Sequence, residues 1–339
     1  MSCKALIIGC SGTEITPDEA RFIKKTRPWG LILFRRNIAD RDQLTALTAA
    51  FRQLVGRVDA PVLIDQEGGR VQRMGPPHWR KYPAAAKFLE LWKGDVQEAA
   101  SLARIASRLI AHDLTECGIN IDCMPVLDCP IPGSNDAIGD RAYAHDPVAI
   151  AEIGRAAAEG MLDGGVLPII KHMPGHGRAM VDSHYALPVV KDPRDLLEKT
   201  DFYPFKRLND LPIAMTGHIV FSAIDPSGPA TTSPVIIRDV IRGWIAFDGL
   251  LLSDDVSMKA LSGSFAERTE ALFAAGCDIA LHCNGIMEEA EAVASAAPVL
   301  AGRALERAER ALSRLKLPRS VFDPVEAAKI LEAKLALAD

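Results

Sequence analysis

The residues best suited to chemistry are concentrated in one stretch, Lys171-His172-Met173-Pro174-Gly175-His176-Gly177, followed closely by Asp182-Ser183-His184. An apolar run at 166–170 precedes it and reads as a buried parallel strand. The Gly and Pro residues after that run suit neither a strand nor a helix, and they specify a backbone path. The pattern therefore puts a lysine, three histidines and an aspartate on one loop at a strand end. Asp182 and His184 are two residues apart, so in an extended loop they share a face and can meet. A carboxylate placed there orients the imidazole and raises its basicity, which makes a general acid/base near neutral pH. A pair that only stabilises the loop has the same spacing.

A second group, Asp254-Asp255, follows Leu250-Leu251-Leu252-Ser253. Adjacent strand residues face opposite ways, so only one of the two carboxylates is expected to face the site. Asp254 at a strand end is a candidate nucleophile. A helix N-cap pair is the structural alternative. His172, His176, Asp182 and His184 are also donors of the kind zinc takes. Pro174 and Gly175, however, oppose the helix that the 172/176 spacing would need, and the chain has no His-Glu-x-x-His pattern. Gly68-Gly69 stands in neither a Walker nor a GxGxxG context. No metal and no cofactor are expected.

These groups need a scaffold that brings strand ends together. Strand-like runs occur at 4–8, 30–34, 61–64, 119–124, 166–170, 212–216, 249–252 and 278–281. Helical runs alternate with them. One opens at Thr16-Pro17, and one after Asp40 carries Leu44, Leu47, Phe51 and Val55 at helical spacing. Others cover 96–117, 149–162, 196–208, 234–244 after Ser233, and 265–275. Eight such units predict an α/β chain folded as a (β/α)8 TIM-type barrel with long βα loops. A doubly wound open sheet is the alternative. Polar residues recur at the strand ends: Asp65, Asp122 or Asp128, Lys171, His172, His218, Asp254 and His282. A barrel collects its active site there. Residues 1–339 are expected to form one catalytic domain. Helices from about 286, broken near Pro298, Pro318 and Pro324, are expected to pack on it.

Bulk properties narrow the partners. The chain has 339 residues, a formal net charge of −5 and no run of like charges. That gives no electrostatic case for nucleic acid or an anionic membrane. The apolar run at 5–8 is too short for a signal-peptide core. Seven cysteines show no CxxC spacing and read as buried free thiols. The expectation is a soluble monomer of a reducing cytoplasm.

The motifs Ile64-Asp65-Gln66-Glu67-Gly68-Gly69-Arg70-Val71-Gln72-Arg73, Gly139-Asp140-Arg141, Lys171 to Gly177, Asp182-Ser183-His184 and Ser253-Asp254-Asp255-Val256-Ser257-Met258 occur in this order. Together they resemble glycoside hydrolase family 3, and within it the single-domain bacterial β-N-acetylglucosaminidases. The resemblance runs from the first expected strand to the eighth. It implies a (β/α)8 barrel and a retaining mechanism through a covalent glycosyl-enzyme. It implies Asp254 as nucleophile, and His184 as acid/base with Asp182 as its partner. It also implies sugar binding by Asp65, Arg73, Arg141, Lys171 and His172. The implied substrate is a small carbohydrate, the terminal N-acetylglucosamine of an anhydromuramyl peptide, released in cytoplasmic cell-wall recycling. Met173 stands where Phe is frequent, and Arg178 where a smaller or acidic residue is common. Neither departure removes a reacting group, though Arg178 bears on the loop and the far side of the site. Glycoside phosphorolysis on the same sugar and metal-dependent hydrolysis are the alternatives. The segment carrying His184 has few apolar anchors and is expected to close over substrate.

Overall fold

The computed structural model describes residues 2–183, 185–315 and 321–336. Eight parallel strands close into a barrel: β1 Lys4–Gly9, β2 Pro28–Leu33, β3 Val62–Ile64, β4 Ile121–Asp122, β5 Leu167–Met173, β6 Ile213–Thr216, β7 Leu250–Asp255 and β8 Ile279–His282. Each strand pairs with the next in the chain, and β8 pairs with β1 through Leu6–Ala280, Ile7–Leu281 and Ile8–His282. The barrel expectation holds and the open sheet does not.

Side-chain alternation divides the core into two layers. Ile7, Ile32, Leu63, Ile121, Leu167, Ile169, Ile213, Leu250, Leu252 and Ile279 fill the barrel interior. Their neighbours Leu6, Ile8, Leu31, Leu33, Val62, Ile64, Ile170 and Leu251 pack outward against the helices. Both faces of each strand are buried, which is why the strands read as continuous apolar runs.

Polar caps set the helix starts. Thr16 and Glu19 form a capping box on Pro17–Thr26, and Ser264 and Glu267 form one on Phe265–Ala275. Asp40, Asp95 and Asp146 cap Arg41–Val55, Val96–Glu116 and Pro147–Asp163. Ser233 Oγ accepts from Ile236 N and opens the helix Ile236–Trp244. The helix expected at 196–208 is two pieces, Arg194–Lys199 and Tyr203–Arg207. Pro204 lies in the first turn of the second piece because it lacks the N–H that a helix interior requires. The C-terminal helices are Met287–Ala296, Gly302–Leu312 and Pro324–Ala336. The last one lies on Val96–Glu116, and its Glu332 pairs with Arg80. Pro318 lies outside the described residues. All seven cysteines are buried and free. No described helix is long and apolar enough to cross a membrane.

Two departures matter for the site. β5 runs on through Lys171, His172 and Met173, and β7 runs on to Asp255, each beyond the expected strand end. Both carry a register irregularity near that end, between Ile170 and Met173 and between Leu252 and Asp255. A bulge of this kind redirects side chains that simple alternation would send to opposite faces.

Val96–Glu116 and Pro147–Asp163 touch where Gly160 meets the Arg104 carbonyl. A Cβ on Gly160 would lie 2.4 Å from that oxygen. Gly160→Ala gains about 1 kcal/mol of helix propensity. It is nevertheless expected to lose a net ~1–3 kcal/mol through overpacking, because the obstacle is backbone. Urea unfolding checks this, and a variant as stable as the parent refutes it.

Candidate active site

The C-terminal ends of the strands open into a cleft of about 280 Å³. Asp65 comes from the end of β3, Lys171 and His172 from β5, and Asp254 and Asp255 from β7. Arg73, Arg141, His176, Asp182 and Ser183 reach it from loops. Seven of the eight residues expected to act on substrate therefore line one cavity. The eighth, His184, lies outside the described residues.

Ion pairs order the floor. Lys171 Nζ is 2.9 Å from Asp65 Oδ1 and 2.6 Å from Glu67 Oε1. Asp65 Oδ2 accepts from Arg73 Nη2 at 3.1 Å. Glu67 accepts from Arg141 Nε and Nη2, both at 2.8 Å, in a bidentate pair. Burial alone would raise the Asp65 carboxyl, but Lys171 and Arg73 outweigh it and hold it well below the usual carboxylate range. Glu67 is lowered in the same way, with burial outweighed by Lys171 and Arg141. Burial opposes the Lys171 ammonium, yet Asp65 and Glu67 raise its pKa. All of these groups are charged at neutral pH. Their fan of donors and acceptors suits a ring of hydroxyls.

Sequence reasoning missed Glu67 as a site residue. It stands in a quoted motif, but its burial comes from a hairpin, Gln66–Gly68 with Val71–Gln72, that no strand pattern announced. Gln66 fastens this hairpin by accepting from the backbone of Arg73 and Met74 and donating to the Met74 carbonyl. Arg70 pairs with Asp140 and donates to the Ala137 and Ile138 carbonyls, which steadies the loop that delivers Arg141.

Asp128 anchors the end of β5. Its Oδ1 accepts from the backbone N–H of His172 and of His176, at 3.1 and 2.7 Å. Its Oδ2 lies 2.7 Å from His172 Nδ1, which leaves Nε2 of that ring for a ligand. Gly177 follows, and a Cβ there would lie 2.1 Å from the Cys129 carbonyl, so the loop can pass only as glycine. Arg178 points away from the cleft and ties the loop to Asp201 and Asp192, at 2.6 and 3.1 Å. Met173 is buried in the core, also away from the cleft.

Asp254 and Asp255 both border the cleft, which corrects the expectation that only one faces it. The irregular register in β7 is the reason. Their carboxylates are not equivalent. Asp255 accepts from Ser257 N, Ser257 Oγ and Cys283 N, and its carbonyl meets His218 Nε2 at 2.9 Å. It is a structural brace. No helix starts there, so the pair is not an N-cap.

Besides Asp128, three residues from the strand-end set do not line the cavity. His218 is buried between Thr231 and the Asp255 carbonyl. His282 is buried and faces Glu289 at 3.2 Å. Asp122 lies beneath the floor, where its Oδ1 accepts from Gln66 N at 2.9 Å and its Oδ2 has no partner among the described residues. Among the described residues no group of three or more His, Cys, Asp or Glu is placed to hold a metal ion.

A barrel whose strand ends carry acidic and basic groups around one cleft has the layout of a barrel enzyme. Residues 6–321 match the family described as the glycosyl hydrolase family 3 N-terminal domain, and the chain belongs to that family. It is 38% identical over 283 residues to the beta-hexosaminidase of Alkalilimnicola ehrlichii, covering 82% of this chain and 80% of that protein. It is 36% identical over 316 residues to the beta-hexosaminidase of Chromobacterium violaceum, covering 90% of this chain and 85% of that one. NagZ from Neisseria gonorrhoeae in complex with N-trifluoroacetyl-D-glucosamine aligns with a TM-score of 0.85 at 28% identity, over 100% of this chain and 98% of that chain.

Burial pushes the Asp122 carboxyl up to about 8. Its ordinary value in the unfolded chain is about 3.9. The folded protein therefore keeps a proton that the unfolded chain releases, and this group lowers stability as pH rises through that window. Asp122→Asn keeps the acceptor for Gln66 N and removes the titration. Its stability relative to the parent is expected to rise between pH 5 and pH 8 in urea unfolding. A pH-independent difference refutes the shift.

Proposed function

We propose that this chain is a retaining exo-β-N-acetylglucosaminidase, a β-N-acetylhexosaminidase with Asp254 as nucleophile and His184, assisted by Asp182, as acid/base. The observation that carries the reading is the gathering of Asp254, Asp182 and the Asp65–Lys171–Arg141 cluster around one small cleft. The family and the beta-hexosaminidase relatives support it. Asp255 accepts from Ser257 and Cys283, and that bracing role counts against it as the attacking carboxylate.

Asp254 attacks C1 of the terminal sugar while the C1–O bond breaks. The departing oxygen takes a proton from the His184 imidazolium, leaving a glycosyl ester on Asp254. The neutral imidazole then takes a proton from water. The water oxygen attacks C1 from the opposite face and releases Asp254. The net change is one water added across the glycosidic bond with the β configuration retained. The Asp182 carboxylate stabilises the imidazolium, as a third triad member does. Asp65, Arg73, Arg141, Lys171 and His172 hold the sugar hydroxyls. Restriction to one terminal sugar fits the small cleft. The substrate we propose is an N-acetylglucosamine-anhydromuramyl peptide, cleaved by the monomeric chain in the cytoplasm during peptidoglycan recycling. The whole chain acts as one catalytic barrel.

Asp254→Asn is expected to remove nearly all turnover without changing the melting temperature by more than a few degrees. A 2-fluoro glycoside is expected to label the peptide containing Asp254, and label on Asp255 overturns the assignment. An aryl glycoside series varied at C2 is expected to show preference for the acetamido sugar, with no gain on adding phosphate or loss on adding EDTA. Comparable kcat/KM on the β-glucoside overturns the substrate. His184→Ala is expected to lose roughly 10²–10⁴-fold on a disaccharide. It loses far less in single-turnover glycosylation with a nitrophenyl leaving group, because a good leaving group needs little acid. Equal losses on both substrates rule out the acid role.

A further inference from the structure

His176 is buried, lies at the cleft wall and has no part in the scheme above. Its backbone N–H is pinned by Asp128, so the ring has a fixed base. Its Nε2 lies 3.3 Å from Ser183 Oγ, and its Nδ1 is buried with no partner among the described residues. Ser183 stands between Asp182 and His184 in the chain. Among the described residues of 180–187 it alone is buried, while Met180, Val181, Tyr185 and Leu187 are exposed. Ser183 therefore links the segment that bears the proposed acid/base pair to the barrel wall.

The chemistry of the ring fixes the direction of that bond. A buried orphan N–H is rarer than a buried lone pair left unfilled. The single proton of the neutral ring therefore belongs on Nε2 and is donated to Ser183 Oγ, with Nδ1 as the bare atom. Burial, and after it His172, holds the His176 pKa down at about 4, which keeps the ring neutral at working pH. The Ser183 hydroxyl proton is then left to donate on the cleft side.

We infer that His176 is a positioning residue. Through Ser183 it fixes the segment carrying Asp182 and His184, and so serves protonation of the leaving group rather than binding of the sugar. The inference rests on the proposed roles of Asp182 and His184.

The test pairs Ser183→Ala and His176→Asn with His184→Ala on two substrates, a nitrophenyl glycoside and a disaccharide. Ser183→Ala is expected to lower kcat on the disaccharide by roughly tenfold, the scale of one lost hydrogen bond. The nitrophenyl glycosylation rate and inhibition by free N-acetylglucosamine stay near parental values. Ser183→Thr, which keeps the hydroxyl, restores most of the loss. Added to His184→Ala, the serine change has no further effect, because the two act as one unit. Equal losses on both substrates, or a loss additive with His184→Ala, overturn the inference. If His184→Ala itself shows no dependence on the leaving group, the acid/base assignment fails and this inference fails with it. If His184→Ala shows that dependence and Ser183→Ala does not, only the inference fails. His176→Asn is read in the same assay with its melting temperature, and a folded variant that behaves as parent on the disaccharide also overturns it.

Discussion

The site depends on one buried ammonium. Lys171 is 2% exposed and sits between Asp65 and Glu67. Taking such a charge out of water costs several kcal/mol, which only close, well-directed partners offset. The partners come from separate parts of the chain: Asp65 from the end of β3, Glu67 from the hairpin after it, and Arg141 from the long loop after β4. Satisfying Lys171 therefore fixes the relative positions of all of them. Because Asp65 and Glu67 are held below their usual range, their contribution is complete above about pH 5 and is lost progressively as pH falls further.

A second fastening adjoins the first. Asp128 collects two backbone N–H groups and one imidazole nitrogen at the end of β5. Burial would raise its carboxyl, but His172 and these hydrogen bonds outweigh it and keep it ionised. Lys171, His172 and His176 thereby stand on a rigid turn. Beyond it the chain is exposed through most of 180–187. The floor of the cleft is built on strand ends and ion pairs, whereas Asp182 and Ser183 reach it from a loop.

Irregular strand ends are what let neighbouring residues serve one cavity. In a regular strand Lys171 and His172, or Asp254 and Asp255, would point to opposite faces. The register shifts at the ends of β5 and β7 turn both members of each pair toward the cleft. The two aspartates are then separated in role by what surrounds them. Asp255 serves the turn at Ser257 and Cys283, and that arrangement holds Asp254 at the rim.

The barrel was legible in the sequence, because eight apolar runs buried on both faces and separated by capped amphipathic helices have few other ways to pack. The sequence also placed residues at strand ends, since Asp65, Lys171, His172 and Asp254 each lie within two residues of the end of an apolar run. Which of those residues share a cavity depends instead on contacts between distant segments of the folded chain. His218, His282 and Asp122 follow the same rule in sequence and face elsewhere, because a strand end says nothing about the partner waiting there. Glu67 shows the converse, because its importance lies in contacts 74 and 104 residues away, to Arg141 and Lys171, and local pattern carries no trace of such distances.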